Sequence, residues 1–254
     1  NITLRVACLE QMPFQTEDAQ GDNDLPSHLN FAIYDLGGTR LKQVNQKRGD
    51  KDYGTVAMKL DKGTYQLVVL AHSSTKNPAM TNPAKIQFNN SIGYTDTYLC
   101  YSTLSVTDEP QELDIELDRI VALCRFVICD PIPQGVTQMG FQYTGGSGHL
   151  NALTGFGVTD SKQTFNAQVK AGMQFAVFDL YTFLHDDTGV ISLKVSALNA
   201  DGGKVRQRDF EIPMQQNQVS WFTGLFFPQG DDTSGQWIAT PNVGMDKQWG
   251  SEVF

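Results

Sequence analysis

Residues 117–130 have the sequence LDRIVALCRFVICD, a largely apolar stretch that carries two arginines within an acidic chain. Alternate residues across 120–128 form a wholly apolar set, and the other set contains both Arg119 and Arg125. A spacing of six places the arginines on opposite sides of a helix but on the same side of a strand. The stretch is therefore predicted to be one strand of ten or more residues, with one face in a core and the other covered by a neighbouring domain or loop.

The same stretch is too short to be a membrane-spanning helix. Its arginines interrupt the apolar run well short of the roughly 20 residues that a spanning helix needs. No signal peptide precedes Asn1, so we expect the chain to be a mature or trimmed form. Residues 5–8 (RVAC) match a lipoprotein cleavage box poorly, since they contain an arginine and follow no apolar run.

Strand-like alternation of apolar and polar residues recurs along most of the chain, and no window of a dozen residues has a clean helical period. The 23 glycines and 10 prolines suit many short strands joined by turns. The fold class is therefore predicted to be all-β, built as β-sandwiches. Segments 55–60 and 65–71, separated by a turn at 61–64, are predicted to form a hairpin. Turns are also predicted at 35–39 and 199–203.

A chain of 254 residues fits two domains of ordinary size. A turn-rich and acidic segment, 107–118, leads directly into the apolar stretch that carries Arg119 and Arg125. We therefore predict an N-terminal β-sandwich over 1–118 and a C-terminal β-sandwich over 119–254. The tract GGSG at 145–148 is predicted to be a flexible loop.

Charge and cysteine content exclude several classes of function. The net charge is −9, with 28 acidic residues spread along the chain and no basic stripe, so nucleic acid is not an expected partner. Four cysteines do not make a disulfide framework or a metal site at these spacings, and buried thiols are predicted. Cys124 and Cys129, about 16 Å apart on an extended strand, cannot bridge to each other.

No constellation of residues points to catalysis. The chain has no GxSxG, GxGxxG or GxxxxGK[ST] motif and no HxxxH pair. The best metal-like cluster, His185-Asp186-Asp187, has the surroundings of a solvated turn. We predict no enzyme activity, no catalytic residues, no cofactor and no metal. Arg119 and Arg125 are predicted to pair with acids at the domain junction.

Three parts of the chain together resemble fimbrillin-type subunits of type V pili from Bacteroidota. HLNFAIYDLG (28–37) is similar to an opening strand and turn of that family, and KGTYQLVVLAH (62–72) to its following hairpin. TDTYLCY (95–101), an acidic segment and then LDRIVALCRFV (117–127) resemble the strand that opens the second domain. The resemblance covers roughly residues 28–130.

The resemblance implies two tandem transthyretin-like β-sandwiches in a secreted stalk, tip, anchor or adhesin protein. It implies a location in the fimbrium, outside the cell or at the outer membrane through a lipid anchor upstream of this chain. Other pilus subunits or host or bacterial surface ligands would be the partners. In stalk subunits of the family an arginine-specific protease removes an N-terminal strand, and the groove then accepts a strand of the next subunit.

This chain departs from the stalk pattern because it has no lysine or arginine between Arg5 and Arg40. The first strand, 2–9, is therefore expected to stay in place, which favours an anchor, tip or accessory subunit. The alternative is a surface carbohydrate-binding module in which Trp237 and Trp249 stack on sugars. A periplasmic enzyme is the third interpretation, without a substrate to name.

Overall fold

The computed structural model describes residues 1–9, 12–13, 25–89, 91, 93–227 and 237–244. These residues form nineteen strands and no helix, which confirms the all-β prediction, so none of their segments is a helix able to cross a bilayer. The strands are β1 (Ile2–Leu9), β2 (Met12–Pro13), β3 (His28–Tyr34), β4 (Arg40–Lys47), β5 (Thr55–Met58), β6 (Gly63–His72), β7 (Ile86–Gln87), β8 (Thr97–Val106), β9 (Gln111–Arg119), β10 (Ala122–Ile128), β11 (Gln138–Ser147), β12 (His149–Asn151), β13 (Phe156–Gly157), β14 (Asp160–Gln168), β15 (Ala176–Thr182), β16 (Thr188–Leu198), β17 (Lys204–Gln215), β18 (Gln218–Gly224) and β19 (Trp237–Gly244).

The first half of the chain forms an eight-stranded sheet in the order β2-β1-β9-β8-β6-β3-β4, and β5 also pairs with β1. Strand β1 runs parallel to β9 and antiparallel to β5. Its alternate residues Ile2, Leu4 and Val6 are at most 3% exposed, because the period of two turns them all toward one core. This first core contains residues from Ile2 to Leu117.

The second half forms two four-stranded sheets, β15-β10-β18-β19 and β14-β11-β16-β17. Their apolar side chains interleave in a second core that begins at Ala122 and includes residues of both sheets. Phe126 on β10 and Phe141 on β11 meet there with ring centroids 5.7 Å apart. The two sheets therefore pack as the layers of a sandwich.

A third core joins the two halves. Tyr34 and Phe88 from the first half pack there with Val121 and Phe183 from the second. A three-stranded sheet, β13-β12-β7, also takes strands from both halves, since β7 pairs with β12. Residues on the two sides of position 118 therefore share both a sheet and a core.

The opening stretch, 117–130, is two strands and not one, so the prediction of a single long strand is wrong. Strand β9 ends at Arg119 against β8, and β10 begins at Ala122 between β15 and β18. Between them, the Ile120 amide donates to the Thr97 carbonyl at 3.0 Å, and the Val121 carbonyl accepts from Asn217 at 2.9 Å. The chain thus passes from the first sheet to the second at two buried apolar residues. The apolar set from Ala122 to Ile128 does line the second core, as predicted.

The predicted hairpin of residues 55–71 is also wrong. The chain bends at Lys62, but β5 pairs with β1 while β6 pairs with β3 and β8. The other two predicted turns do join paired strands: 35–39 connects β3 to β4, and 199–203 connects β16 to β17. Gly38 and Gly202 have φ of 85° and 78° in these turns, a conformation that glycine adopts without strain.

The first three residues of the GGSG tract, 145–147, are the closely packed end of β11, and not the flexible loop that was predicted. A Cβ atom on Gly146 would lie 1.8 Å from Thr182 Oγ1, so only glycine permits β11 to approach β15 this closely. The Ser147 side chain is fully buried, and its Oγ accepts hydrogen bonds from the amides of Val158 and Thr159. Glycine serves close packing here, not mobility.

Candidate functional site

Arg119, at the end of β9, is held by a carboxylate and a phenol. Its Nε and Nη2 donate to the two oxygens of Asp96 at 2.7 and 2.9 Å, and Nη2 also donates to the Tyr98 hydroxyl. The guanidinium carbon lies 4.7 Å from the centroid of the Tyr98 ring, a cation–π distance. Burial raises the pKa of Tyr98, so its phenol stays protonated beside the ion pair.

Arg125, in the middle of β10, makes an equivalent arrangement within the second sheet. Its Nε and Nη2 donate to the two oxygens of Asp179 on β15, each at 2.8 Å. Its guanidinium carbon lies 5.0 Å from the centroid of the Trp221 ring on β18. The hydrogen bond to Asp179 raises the pKa of Arg125, so the charge is permanent and locally neutralised.

The two arginines do not share a strand, yet their ion pairs flank one buried phenol. Burial raises the pKa of Tyr181, the carboxylates of Asp96 and Asp179 raise it further, and the two arginines lower it. We call Asp96, Arg119, Arg125, Asp179 and Tyr181 the junction cluster. Each charge in it has a bidentate partner, which suits orientation of strands and leaves no base available for proton transfer. That the arginines mark a domain junction stays a prediction.

Of the two tryptophans of the stacking hypothesis, the structure describes Trp237. Trp237 on β19 is half-buried, and its ring stacks on Phe222 with a centroid distance of 5.1 Å and an interplanar angle of 12°. It also lies 4.6 Å from the Phe126 ring, so core aromatics occupy much of its surface. Trp249 lies outside the described residues, and a stacking role for either ring stays a prediction.

His185, the centre of the metal-like motif, pairs with an acid instead. Its Nε2 lies 3.0 Å from Asp160 Oδ1, and its Nδ1 lies 3.1 Å from the Gly157 carbonyl. Asp186 accepts a hydrogen bond from the Asp187 amide, an ordinary turn contact. Across the described ranges no three His, Cys, Asp or Glu side chains converge as a metal site would require.

Strand β1 is the element on which an assembly role would depend. Its backbone is paired along both edges, from Ile2↔Gln111 to Leu9↔Leu117 on one side and from Ile2↔Met58 to Arg5↔Thr55 on the other. On its outward face, Arg5 forms a bidentate pair with Asp114 at 2.8 and 2.9 Å. The strand is therefore an interior part of the first sheet.

A groove on the outer face of the sheet β14-β11-β16-β17 was missed from the sequence. It is open to solvent, has a volume of about 330 Å³ and is lined mainly by polar side chains around Gly140. Alternation did indicate that Gln138, Gly140 and Gln142 share a face of β11. The register that sets them beside β14 and β16 joins residues far apart in sequence, so alternation alone could not reveal the groove.

Solved structures of Bacteroides proteins share this fold. A proposed adhesin from Bacteroides ovatus is 18% identical, with a TM-score of 0.54 over 83% of this chain and 81% of the other. A proposed adhesin from Bacteroides thetaiotaomicron is 13% identical, with a TM-score of 0.53 over 94% and 93%. Proposed polysaccharide-binding proteins (DUF1812) from the same species are 9% identical, with a TM-score of 0.54 over 88% and 90%. The resemblance to surface proteins of Bacteroidota is thus confirmed at the level of the fold.

Sequence comparison assigns the family. No curated protein is similar to the chain. One family model, described as a family of unknown function (DUF6562), matches residues 10–254, which is nearly the whole chain. The chain therefore belongs to the DUF6562 family.

Proposed function

We propose that this protein is a non-enzymatic structural protein of the cell surface, acting as a fimbrial anchor, tip or accessory subunit or as an adhesin. The observation that carries the proposal is the fold, shared over more than four fifths of both chains with proposed Bacteroides adhesins. Its partners would be other pilus subunits or surface ligands, and a lipid anchor upstream of this chain would hold it at the outer membrane.

We propose a division into two transthyretin-like sandwiches, 1–118 and 119–254. The separation of the first core, which ends at Leu117, from the second, which begins at Ala122, supports it. The third core and the junction cluster would then form the interface between the sandwiches.

The proposed assembly proceeds by strand addition, with β1 retained. Four residues of β1, namely Ile2, Leu4, Val6 and Leu9, lie in the first core, and each buried aliphatic side chain contributes about 1.5–3 kcal/mol. Loss of β1 would open an apolar groove with unpaired backbone groups, an acceptor for another strand. Because no lysine or arginine lies between Arg5 and Arg40, an arginine-specific protease would leave this groove filled. A filled groove suits a subunit that ends or anchors a filament.

Intact-mass analysis after exposure to an arginine-specific protease tests retention of the strand. We expect no product that begins between residues 10 and 27. The variant Gln20→Arg supplies the missing arginine and serves as the matched control for protease action. Release of a segment of about 20 residues from the unmodified chain would contradict the proposal. Deleting the gene and imaging surface filaments tests the assembly role, and filaments of unchanged number and length would count against it.

Carbohydrate binding is the second candidate function, favoured by the likeness in fold to proposed polysaccharide-binding proteins. If the protein is a carbohydrate-binding module, Trp237 and Trp249 would stack on the sugar. Binding on a glycan array that is lost in both Trp237→Ala and Trp249→Ala would support it. Binding that persists in both variants would exclude the two tryptophans as the site.

A further inference from the structure

The outer face of the sheet β14-β11-β16-β17 carries polar residues in rows that cross all four strands. Strand register sets Gly140 between Asn166 and Ser196, and the next row along sets Gln142 between Thr164 and Lys194. Ser196 in turn lies opposite Gln207 on β17. Because the four strands are in register over these two rows, their side chains form a shared, largely polar patch.

The groove on this surface results from small residues in the middle of a row. Gly140 has no side chain and Ser196 has a short one, while the longer side chains of Gln142, Lys194 and Leu198 stand around them. Neighbouring strands of a sheet lie about 4.8 Å apart, so the three gaps between four strands make the face about 14 Å across. The volume of this open groove, about 330 Å³, is within the range of small-ligand sites.

The groups in the groove suit a ligand with many hydroxyls. The amides of Gln142 and Asn166 and the hydroxyl of Ser196 can each donate and accept hydrogen bonds. Within the described part of the chain these three side chains form no hydrogen bond, so their capacity is available to a ligand. Adjacent hydroxyls of a sugar also donate and accept, and Gly140 with Leu198 offers an apolar floor for a ring face.

The charge of the groove is opposite to that of the whole protein. Lys194 and Lys204 line it, and no carboxylate among the residues that the structure describes does, although the chain has a net charge of −9. Lys204 Nζ donates to Gln207 Oε1 at 2.9 Å, which keeps that ammonium over the groove. Asp209 lies opposite Lys194 in the register, and one carboxylate against two ammonium groups leaves the site positive.

We propose that this groove binds an oligosaccharide that carries carboxylate groups, with a sugar ring over Gly140. Asn166 and Gln142 would bind ring hydroxyls, and Lys194 or Lys204 would pair with the carboxylate. An acidic peptide fits less well, because extended peptides add to strand edges through backbone hydrogen bonds. The backbone beneath this groove is already paired on both sides of β11. The proposal does not depend on the assembly role or on Trp237.

The test is a panel of uronate-bearing and sialate-bearing oligosaccharides, each beside its neutral parent, followed by calorimetry on the tightest binder. We expect acidic members to bind and their neutral parents to bind at least about ten-fold more weakly. Lys194→Met should weaken binding by about ten-fold or more, the usual effect of losing a hydrogen bond to a charged group. Gly140→Leu should abolish it by filling the groove: the φ of Gly140 lies outside the left-handed region, and the new Cβ would meet the movable Asn166 Oδ1 at 3.1 Å.

The controls separate this site from the others. Lys170→Met removes an exposed lysine outside the groove and should bind as the unmodified chain does. Trp237→Ala should also bind normally, whereas loss of binding there with normal binding in Lys194→Met would place the ligand at the tryptophan. Failure of every acidic oligosaccharide to bind, tighter binding of hexaglutamate peptide, or binding unaffected by both groove variants would overturn the proposal. Thermal unfolding of each variant confirms that it is folded.

Discussion

His72, at the end of β6, is a buried histidine whose environment requires the neutral ring. Its side chain has no exposed surface and stacks on His28 with a centroid distance of 5.2 Å and an interplanar angle of 2°. The Ser74 amide donates to Nδ1 at 3.1 Å, so the proton lies on Nε2, which donates to Asn30 Oδ1 at 2.8 Å. Burial, and secondarily the neighbouring His28, lowers the pKa of His72 from 6.5 to about 4.

This shift makes the free energy of unfolding depend on pH in a defined direction. Between about pH 6.5 and pH 4 the unfolded chain binds a proton at this position and the folded chain does not. Stability from this group is therefore complete above pH 6.5 and falls as the solution becomes more acidic. At 1.36 kcal/mol per pKa unit, the loss reaches about 2.5 kcal/mol at pH 4.5 and ~3 kcal/mol below pH 4.

Urea unfolding of the unmodified chain and of His72→Gln, at pH 7.5, 6.0 and 4.5 and constant ionic strength, measures the effect. Glutamine can donate to Asn30 but does not titrate, and carboxylate contributions common to both proteins cancel in the comparison. We expect the unmodified chain to lose about 2.5 kcal/mol more than the variant between pH 7.5 and 4.5. Parallel pH profiles for the two proteins would refute the reasoning.

Two further predictions concern close packing and buried charge, and thermal or urea unfolding measures both. Gly146→Ala should lower the free energy of unfolding by ~3 kcal/mol, since its Cβ would stand 1.8 Å from a side-chain oxygen of β15. Gly140→Ala on the same strand has its tightest contact with the movable end of the Asn166 side chain and should lower the free energy of unfolding by less than about 1 kcal/mol. Asp179→Asn should cost ~3 kcal/mol because it leaves the buried charge of Arg125 without its partner. The same change in the exposed pair, Asp114→Asn, should cost under about 1 kcal/mol, and equal losses in the two variants would contradict the assignment.

Local patterns in the sequence predicted local structure well. The turn of 35–39 contains Gly38, whose positive φ the turn requires, and the strands that it joins do pair. The first strand was expected over 2–9, and β1 spans those residues with Ile2, Leu4 and Val6 on one buried face. Such features depend on side-chain direction within one strand and on the conformational freedom of single residues, both of which are present in the sequence.

Features that depend on pairing between distant residues were not predictable in this way. The two strands of 55–71 alternate as a hairpin would, but each finds its partners elsewhere in the chain. Glycines at 145–148 indicated a loop, but Gly145 and Gly146 are needed because Val190 on β16 and Thr182 on β15 approach closely. Neither approach is visible in the local sequence. The groove around Gly140 likewise exists only because β14 and β16 lie beside β11 and β17 lies beside β16.

The stretch 117–130 shows both what local patterns predict and what they do not predict. Its sequence by itself determined that it is extended, that its apolar set enters the second core, and that its arginines need acidic partners. Only the tertiary structure decided that the strand breaks at Ile120-Val121, since Arg119 completes pairing with β8 while Ala122 begins pairing with β15. The reason is physical: alternation records which face a side chain occupies, whereas the sheet to which a residue belongs is set by hydrogen bonds to strands far away in the chain.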